Sequence, residues 1–408
     1  MRSSYITPDR VNGLILLLCA MALGSVLVET PGGNGGALFW LIRALAVSGA
    51  AVALFVPRLQ SWALFGAVAG LVLAPAAFQM WARSHERDSS KFCHDSVIQF
   101  EEAARMLRQG RNPYADDFRG TPLDGWRGFH DNPAIHHFVY PPLLLLISTP
   151  LEAAGRAAGF YDQRILILLL FGGFVALLLR ELRDHPHAVG LVSVIALNPF
   201  LAPYVVEGRN DVGMLLGVAA AGAAYARGRT SWGDLWVGVA IAAKTLLLPV
   251  LPFLLWARRK ELGPVAARSI GPLALTCLPF LVWDAGAFVE DVFLAPAGWG
   301  SHPFEMRGWG GYGFANLILV FGVNPKAAFP FGIFQGLALI PCLRYGFRSL
   351  GLDPGWPNVL RWTVVTVFAL LFFGRFIHDN YIGSLLSLAG MAALWRDRAH
   401  LEPASGVT

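Results

Sequence analysis

The sequence predicts an all-α protein that crosses a membrane repeatedly, with about 11–13 membrane segments and one large outward-facing loop near its start. Three observations lead there. Of 408 residues, 55% are hydrophobic and only 14% are charged. The apolar residues fall into successive runs of about 17 to 22, the length a helix needs to cross hydrocarbon, separated by short Arg- or Pro-rich breaks. Backbone groups in lipid must be satisfied internally, so helices are the structure for such runs. The net charge of +5 and pI near 9.2 arise from basic residues in short loops, as membrane topology places them, and call for no nucleic-acid partner. Cys19, Cys93, Cys277 and Cys342 are scattered, giving neither a disulfide framework nor metal-ligand spacing.

Taken in order, spans are expected near 11–28, 38–56 and 61–82, followed by a polar loop over 83–138. The first ten residues, with Arg2 and Arg10, read as the start of a signal anchor. A segment from Tyr140 to about Gly159 follows, then spans near 163–180, 188–206, 211–226, 264–285, 327–343, 357–374 and 380–395. Two stretches, 232–243 and 245–256, are too short to span comfortably and read as a broken hairpin with Lys244 near its tip. Placing Arg58, Arg180, Arg227, the Arg258-Arg259-Lys260 run, Arg344 and Arg396 in the cytoplasm puts the 83–138 loop outside. The Gly208-Arg209-Asn210-Asp211 turn, a second loop over 286–312, and residues 375–380 share that face. The Tyr140–Gly159 segment, with Pro141, Pro142, Pro150 and Glu152, then has to be re-entrant or interfacial. No internal repeat, low-complexity tract or appended soluble domain is evident, so residues 1–408 form a single membrane domain.

The 83–138 loop carries five of the ten histidines and the clearest chemistry. Within Cys93-His94-Asp95-Ser96, Asp95 opens a short amphipathic helix whose Val97, Phe100, Ala104 and Leu107 share a face. Ser96 and Gln99 read as its capping box, and Gly110 with Pro113 ends it. A carboxylate at that mouth can take a proton from a hydroxyl, or it can simply answer the helix dipole. Tyr114 and Tyr140 sit in Asn-Pro-Tyr and Tyr-Pro-Pro turns, and turn chemistry alone explains each. At 208–211 an arginine that can grip an anion bidentately stands beside a carboxamide and a carboxylate; helix capping by Asn210 or Asp211 is the plain alternative. Lys244 either neutralises a phosphate or snorkels. His378, Asn380 and Tyr381, preceded by Arg375, form a further polar group where a late span starts. The Trp299–Tyr312 stretch, with His302, has the aromatic content of a carbohydrate platform or of an interfacial anchor.

The ordered set resembles a known family: Asp95 in its loop helix, Gly-x-Asn-Pro-Tyr, Tyr-Pro-Pro-Leu, Asn198-Pro199, Gly-x-Asn-Asp at a helix start, then Lys244 at a break. It is similar to the GT-C superfamily of integral membrane glycosyltransferases, and most like the polyprenol-phosphate-mannose-dependent mannosyltransferases of family 87. The resemblance covers roughly Asp95 to Arg259 and implies a GT-C-like fold in the cytoplasmic (inner) membrane with an extracytoplasmic active site. It implies transfer of a sugar, mannose first, from a polyprenyl-phosphate donor to a lipid-linked or glycan acceptor, with inversion. Asp95 would be the base. Arg209, Lys244, His378 and Arg375 would hold the donor phosphate, and His94, Tyr114, Tyr140, Asn210, Asp211, His302, Asn380 and Tyr381 would contact substrate. No cofactor is expected, and the lack of an acidic pair beside Asp95 argues against a divalent metal. Arg209 stands where relatives more often carry His or Gln, and two extra hydrophobic spans precede the first loop, where many relatives have one. A lipid-carrier flippase or transporter and a non-catalytic subunit of envelope-polysaccharide assembly are the rival classes.

Overall fold

The computed structural model describes residues 7–26, 36–85, 92–126, 132–308 and 313–401. Trp309 and Tyr312 of the expected aromatic platform lie outside them.

The chain begins with two apolar helices, α1 (Pro8–Val26) and α2 (Gly36–Phe55). A third hydrophobic rod follows, made of α3 (Gln60–Val68), one π turn over Ala69–Leu73, and α4 (Ala74–His85). The loop helix is α5 (Asp95–Arg108), and α6 (Pro142–Ala157) lies along it. Next come α7 (Arg164–Leu182), α8 (Ala188–Ala196) and α9 (Ala202–Glu207). The centre is formed by α10 (Asp211–Ala226), α11 (Thr230–Ala243) and α12 (Val250–Ala257). The long α13 (Leu262–Val289), with non-helical backbone at Asp284, leads to the short α14 (Ala295–Ala297) and α15 (Phe314–Val320). The last three helices are α16 (Phe331–Leu352), α17 (Trp356–Phe372) and α18 (Asp379–Leu401).

The all-α expectation holds. Among the described residues the strands are two residues each, Arg307–Gly308 pairing in parallel with Phe376–Ile377, and they tie the second loop to the start of α18. Among the described residues four helical stretches are long and apolar enough to cross a membrane, Leu38–Phe55, Pro57–His85, Arg164–Leu182 and Arg259–Ala297, and α10 and α17 are shorter apolar helices.

Charge pairs sort the bundle into two ends. At one, Glu181 pairs with Arg180 and Arg227, joining the ends of α7 and α10. There too the fully buried Asp234 of α11 accepts from Tyr225, Arg258 and Arg268. Of the basic residues expected to share a face, Arg180, Arg227 and Arg258 therefore meet at this end. At the opposite end the start of α10, the end of α11 and the start of α18 meet.

Small residues explain how α10 and α11 come together. A Cβ on Gly217 would lie 2.9 Å from the Ala240 backbone, and one on Gly213 would lie 3.4 Å from Ala243. The pair therefore packs antiparallel at close range, each helix about 21–24 Å long at 1.5 Å per residue. That length settles the short 232–243 stretch: α11 runs the full height of α10 and delivers Lys244 to Asp211.

Three sequence expectations are corrected. The 188–206 run is two helices, broken at Asn198-Pro199, where Asn198 accepts from the Phe200 N–H and donates to Ser387. The 327–343 span is displaced to Phe331–Leu352. The capping box fails because the N-cap is His94, whose ring accepts from the Ser96 N–H, while Gln99 donates to the carbonyls of Ala134 and His137.

The contacts of the Tyr140 segment bring the chain back to the end of the bundle at which the segment starts. The start of α6 lies by the start of α10, with Leu144 against Gly213, and its far part holds buried Glu152 between Arg108 and Arg156. The chain then returns to Arg164, which packs on Gly208 at the same end of the bundle.

Candidate active site

A buried ion network fixes the loop helix. Arg83 of α4 bridges Glu101 of α5 and Asp162, at 2.7 and 2.9 Å. Arg164, with no exposed surface, pairs with Asp162 at 2.7 Å and donates to Gln79 and to the Phe92 carbonyl. Buried charges survive only when so fully paired. The sequence shows these residues only as scattered charges.

Two local contacts then bring Asp95 to the 208–211 turn. The His94 N–H donates to the Glu207 carbonyl at 3.0 Å. Gly208 ends α9 with φ +92°, a left-handed backbone that glycine adopts freely. A Cβ there would lie 2.3 Å from Val97 and 2.7 Å from Arg164. Glycine thus lets the start of α5 sit directly on this turn.

Asp95 is 16% exposed; one carboxylate oxygen lies 2.7 Å from His94 Nδ1 and the other accepts from Asn132 at 3.1 Å. Burial pushes its pKa up, but His94, Asn132 and the charge of Arg209 outweigh that and hold it well below the usual carboxylate range. The group is an ionised acceptor. The Tyr140 phenol, nearby, is pushed well above its ordinary pKa by burial and by the Asp95 charge, so it stays a neutral hydrogen-bonding group.

Deeper in, Lys244 Nζ lies 2.5 Å from Asp211 Oδ1, 3.4 Å from Asn210 Oδ1 and 5.3 Å from the Tyr381 ring. Asp211, 2% exposed, also accepts from Asn380 Nδ2 at 2.9 Å and Ser384 Oγ at 3.1 Å. Arg209 donates to Asn380 Oδ1 at 2.8 Å, stacks over Tyr204 at 4.2 Å and reaches Glu207 at 3.6 Å. Its Nε and the Asn210 Nδ2 are buried donors without a hydrogen-bond partner. His378 packs edge-on against Tyr381 at 5.6 Å. The chain brings α18 this close because Gly383 has no side chain: a Cβ there would fall 1.9 Å from the Phe200 carbonyl oxygen in the α8–α9 break.

The structure thus joins Asp95, His94, Tyr140, Arg209, Asn210, Asp211, Lys244, Asn380, Tyr381 and His378 in one continuous cluster. Three residues expected there are elsewhere. Arg375 gives one N–H from each of its three nitrogens to the carbonyls of Phe304, Ala327 and Pro325, so it braces the second loop against the turn before α16. Tyr114 is buried among Phe138, Phe280 and Phe288, with its hydroxyl on the Tyr140 carbonyl; it positions Tyr140 from behind. His302, at φ +48°, stacks on His136 at 3.9 Å, in the contact between the two loops.

Sequence reasoning missed Asn132 and Ser384, which bind the two carboxylates; nothing local marks either. It also missed His137, which donates to Asp291 and lies 2.6 Å from the Ser301 carbonyl. Among the described residues no three His, Cys, Asp or Glu side chains converge in a metal-holding group.

An ionised carboxylate at a loop-helix mouth, next to an arginine with a spare donor and a partly buried lysine, can orient a hydroxyl and meet a phosphate. No curated protein and no solved structure matches the chain. Residues 138–304, which run from the end of the first loop through α6–α13 to the second loop, match the model of Glycosyltransferase family 87, a GT-C-type family of membrane glycosyltransferases.

Proposed function

We propose that this enzyme transfers a sugar, mannose first, from a polyprenyl-phosphate donor to a hydroxyl of a lipid-linked or glycan acceptor, with inversion, outside the cytoplasmic membrane. The single observation that carries this reading is the adjacency of Asp95 to Arg209 across the His94–Glu207 hydrogen bond. It sets an acceptor-orienting carboxylate beside an anion-binding guanidinium.

In the proposed step the acceptor oxygen attacks the anomeric carbon from the side opposite the phosphate. The carbon–oxygen bond to phosphate breaks, and polyprenyl phosphate leaves with the electron pair. Asp95 orients the hydroxyl and receives its proton. A strongly ionised carboxylate is a weak base, yet it suffices where the sugar carbon is oxocarbenium-like and the hydroxyl turns acidic as the bond forms. Asp211 is unsuited to that role because Lys244, Ser384 and Asn380 already occupy it. Arg209 through Nε and Asn210 through Nδ2 supply donors to the phosphate oxygens; a buried donor left unpaired is costly, and a phosphate relieves that cost. Lys244 adds fixed positive charge to the leaving group, and His378 borders the same side. The outward placement rests on the basic residues gathered at the opposite end of the bundle.

The test is sugar transfer from radiolabelled polyprenyl-phosphate-mannose by the purified protein in nanodiscs, with a crude lipid extract as acceptor, beside Asp95→Asn. Product from the parent enzyme with a loss of about 10²- to 10⁴-fold in the variant is expected. Undiminished product in the variant sinks the role of Asp95. Transfer from a sugar nucleotide but not from the polyprenyl phosphate sinks the donor.

A further inference from the structure

At the end of the bundle away from the active site, α7, α10 and α11 leave a groove of about 670 Å³, within the range of ligand-binding pockets. Its inner wall is short-chained, with Gly173 on α7 and Ala220 and Ala224 on α10, and Arg180, Arg227 and Arg229 stand at its mouth beside the exposed Trp232 and Trp236. From Gly173 to Arg180 the wall rises about 10 Å at 1.5 Å per residue, with apolar lining below and charge above.

Among the described residues the lining at the mouth carries three arginines and no carboxylate of its own. Glu181 is shared by Arg180 and Arg227, while the Arg229 side chain has no carboxylate partner among the described residues. Tryptophans flanking arginines mark the level of lipid headgroups. Packing does not force the groove to be there: a Cβ on Gly173 would meet only Leu216, at an ordinary 3.8 Å. The space is an unfilled slot rather than a tight helix crossing.

We infer that this groove holds one anionic phospholipid of the leaflet on the basic side, its phosphate between Arg227 and Arg229 and one acyl chain along Gly173 and Ala220. A lipid phosphate completes the charge that Glu181 leaves over, and the apolar wall accepts a chain that water would not wet. The inference is independent of the proposed sugar donor, since no residue of the catalytic cluster contributes.

Native mass spectrometry of the full-length protein, released from detergent with equal additions of phosphatidylglycerol or phosphatidylcholine, tests it. The expected result is one retained phosphatidylglycerol, held at least fivefold better than phosphatidylcholine. Arg229→Gln should reduce that preference at least threefold. Gly173→Leu should abolish retention by filling the slot, with both variants melting within a degree or two of the parent in detergent alone. Equal retention of the two lipids overturns the proposal, as does unchanged retention in both variants. Preferential retention of added polyprenyl phosphate over phosphatidylglycerol overturns it too.

Discussion

Lys244 Nζ and Asp211 Oδ1 lie 2.5 Å apart, although 32 residues and the whole length of α10 and α11 separate them along the chain. The lysine expected to wait for a phosphate is therefore held by a carboxylate that also binds Asn380 and Ser384. Asp211 fixes the cation in place and lowers its net charge, so phosphate binding depends on how this pair is arranged. Asp211→Asn should leave a poorly compensated buried ammonium and cost about 3–5 kcal/mol. Thermal unfolding in detergent checks this: a melting temperature equal to the parent's would show that the pair carries no stability.

Gly208→Ala should damage both stability and transfer. The substitution asks alanine to hold φ +92° and puts its Cβ 2.3 Å from Val97, forcing the start of α5 away from the turn. A loss of about 1–3 kcal/mol is expected from the backbone and contact strain. At a temperature where the variant stays folded, transfer should fall at least tenfold because Asp95 moves relative to Arg209. Full activity there would mean that the close approach of α5 is not required.

Arg375→Lys separates bracing from phosphate binding. A lysine cannot span the three carbonyls that the guanidinium serves. The melting temperature should fall while KM for the polyprenyl-phosphate donor stays within about twofold. A large rise in donor KM with unchanged melting would restore the phosphate role that the sequence suggested.

The two loops should separate as pH rises. Burial lowers the His137 pKa, but the hydrogen bond and charge of Asp291 and the Ser301 carbonyl raise it above its ordinary value overall. A group whose folded pKa is raised stabilises fully below its unfolded value, about 6.5 for imidazole, and loses that contribution as pH climbs through the raised one. Corrected for the intrinsic base-catalysed rate, the protection of the second loop's amides against hydrogen exchange should therefore fall as pH rises in the parent, and His137→Gln should flatten that dependence. A protection factor independent of pH in the parent would refute it.

Asp95 has the opposite sign. Its depressed pKa means that it is ionised throughout the neutral and mildly acidic range, and the stability it adds is lost only as pH falls through the depressed value. The pH–rate profile for transfer should accordingly show no acid limb near pH ~4 that disappears in Asp95→Glu. Such a limb, moving with the substitution, would mean that the carboxylate titrates in its ordinary range.

The legible parts were those written locally. Asp95 at a helix start, the Gly-x-Asn-Asp turn and Lys244 at a break are short motifs whose local geometry follows from neighbours in the chain, and all three join the cluster. Tyr114 misled because an Asn-Pro-Tyr turn looks the same whether its ring meets substrate or, as here, three phenylalanines. Arg375 misled because a cation beside His378 gives no sign that carbonyls from two distant segments will each engage one of its three nitrogens.

The sequence by itself determined that the chain is helical and membrane-spanning, which end gathers the arginines, and which carboxylate opens the loop helix. Hydrocarbon thickness and backbone hydrogen bonding impose those features on every apolar run separately. Only the tertiary structure decided that α11 reaches as far as α10 and that Asn132 and Ser384 complete the two carboxylate sites. It also decided that α18 reaches the break between α8 and α9. Those outcomes depend on glycines and alanines that let helix backbones touch, and close packing is a property of two surfaces together, which neither surface spells out alone.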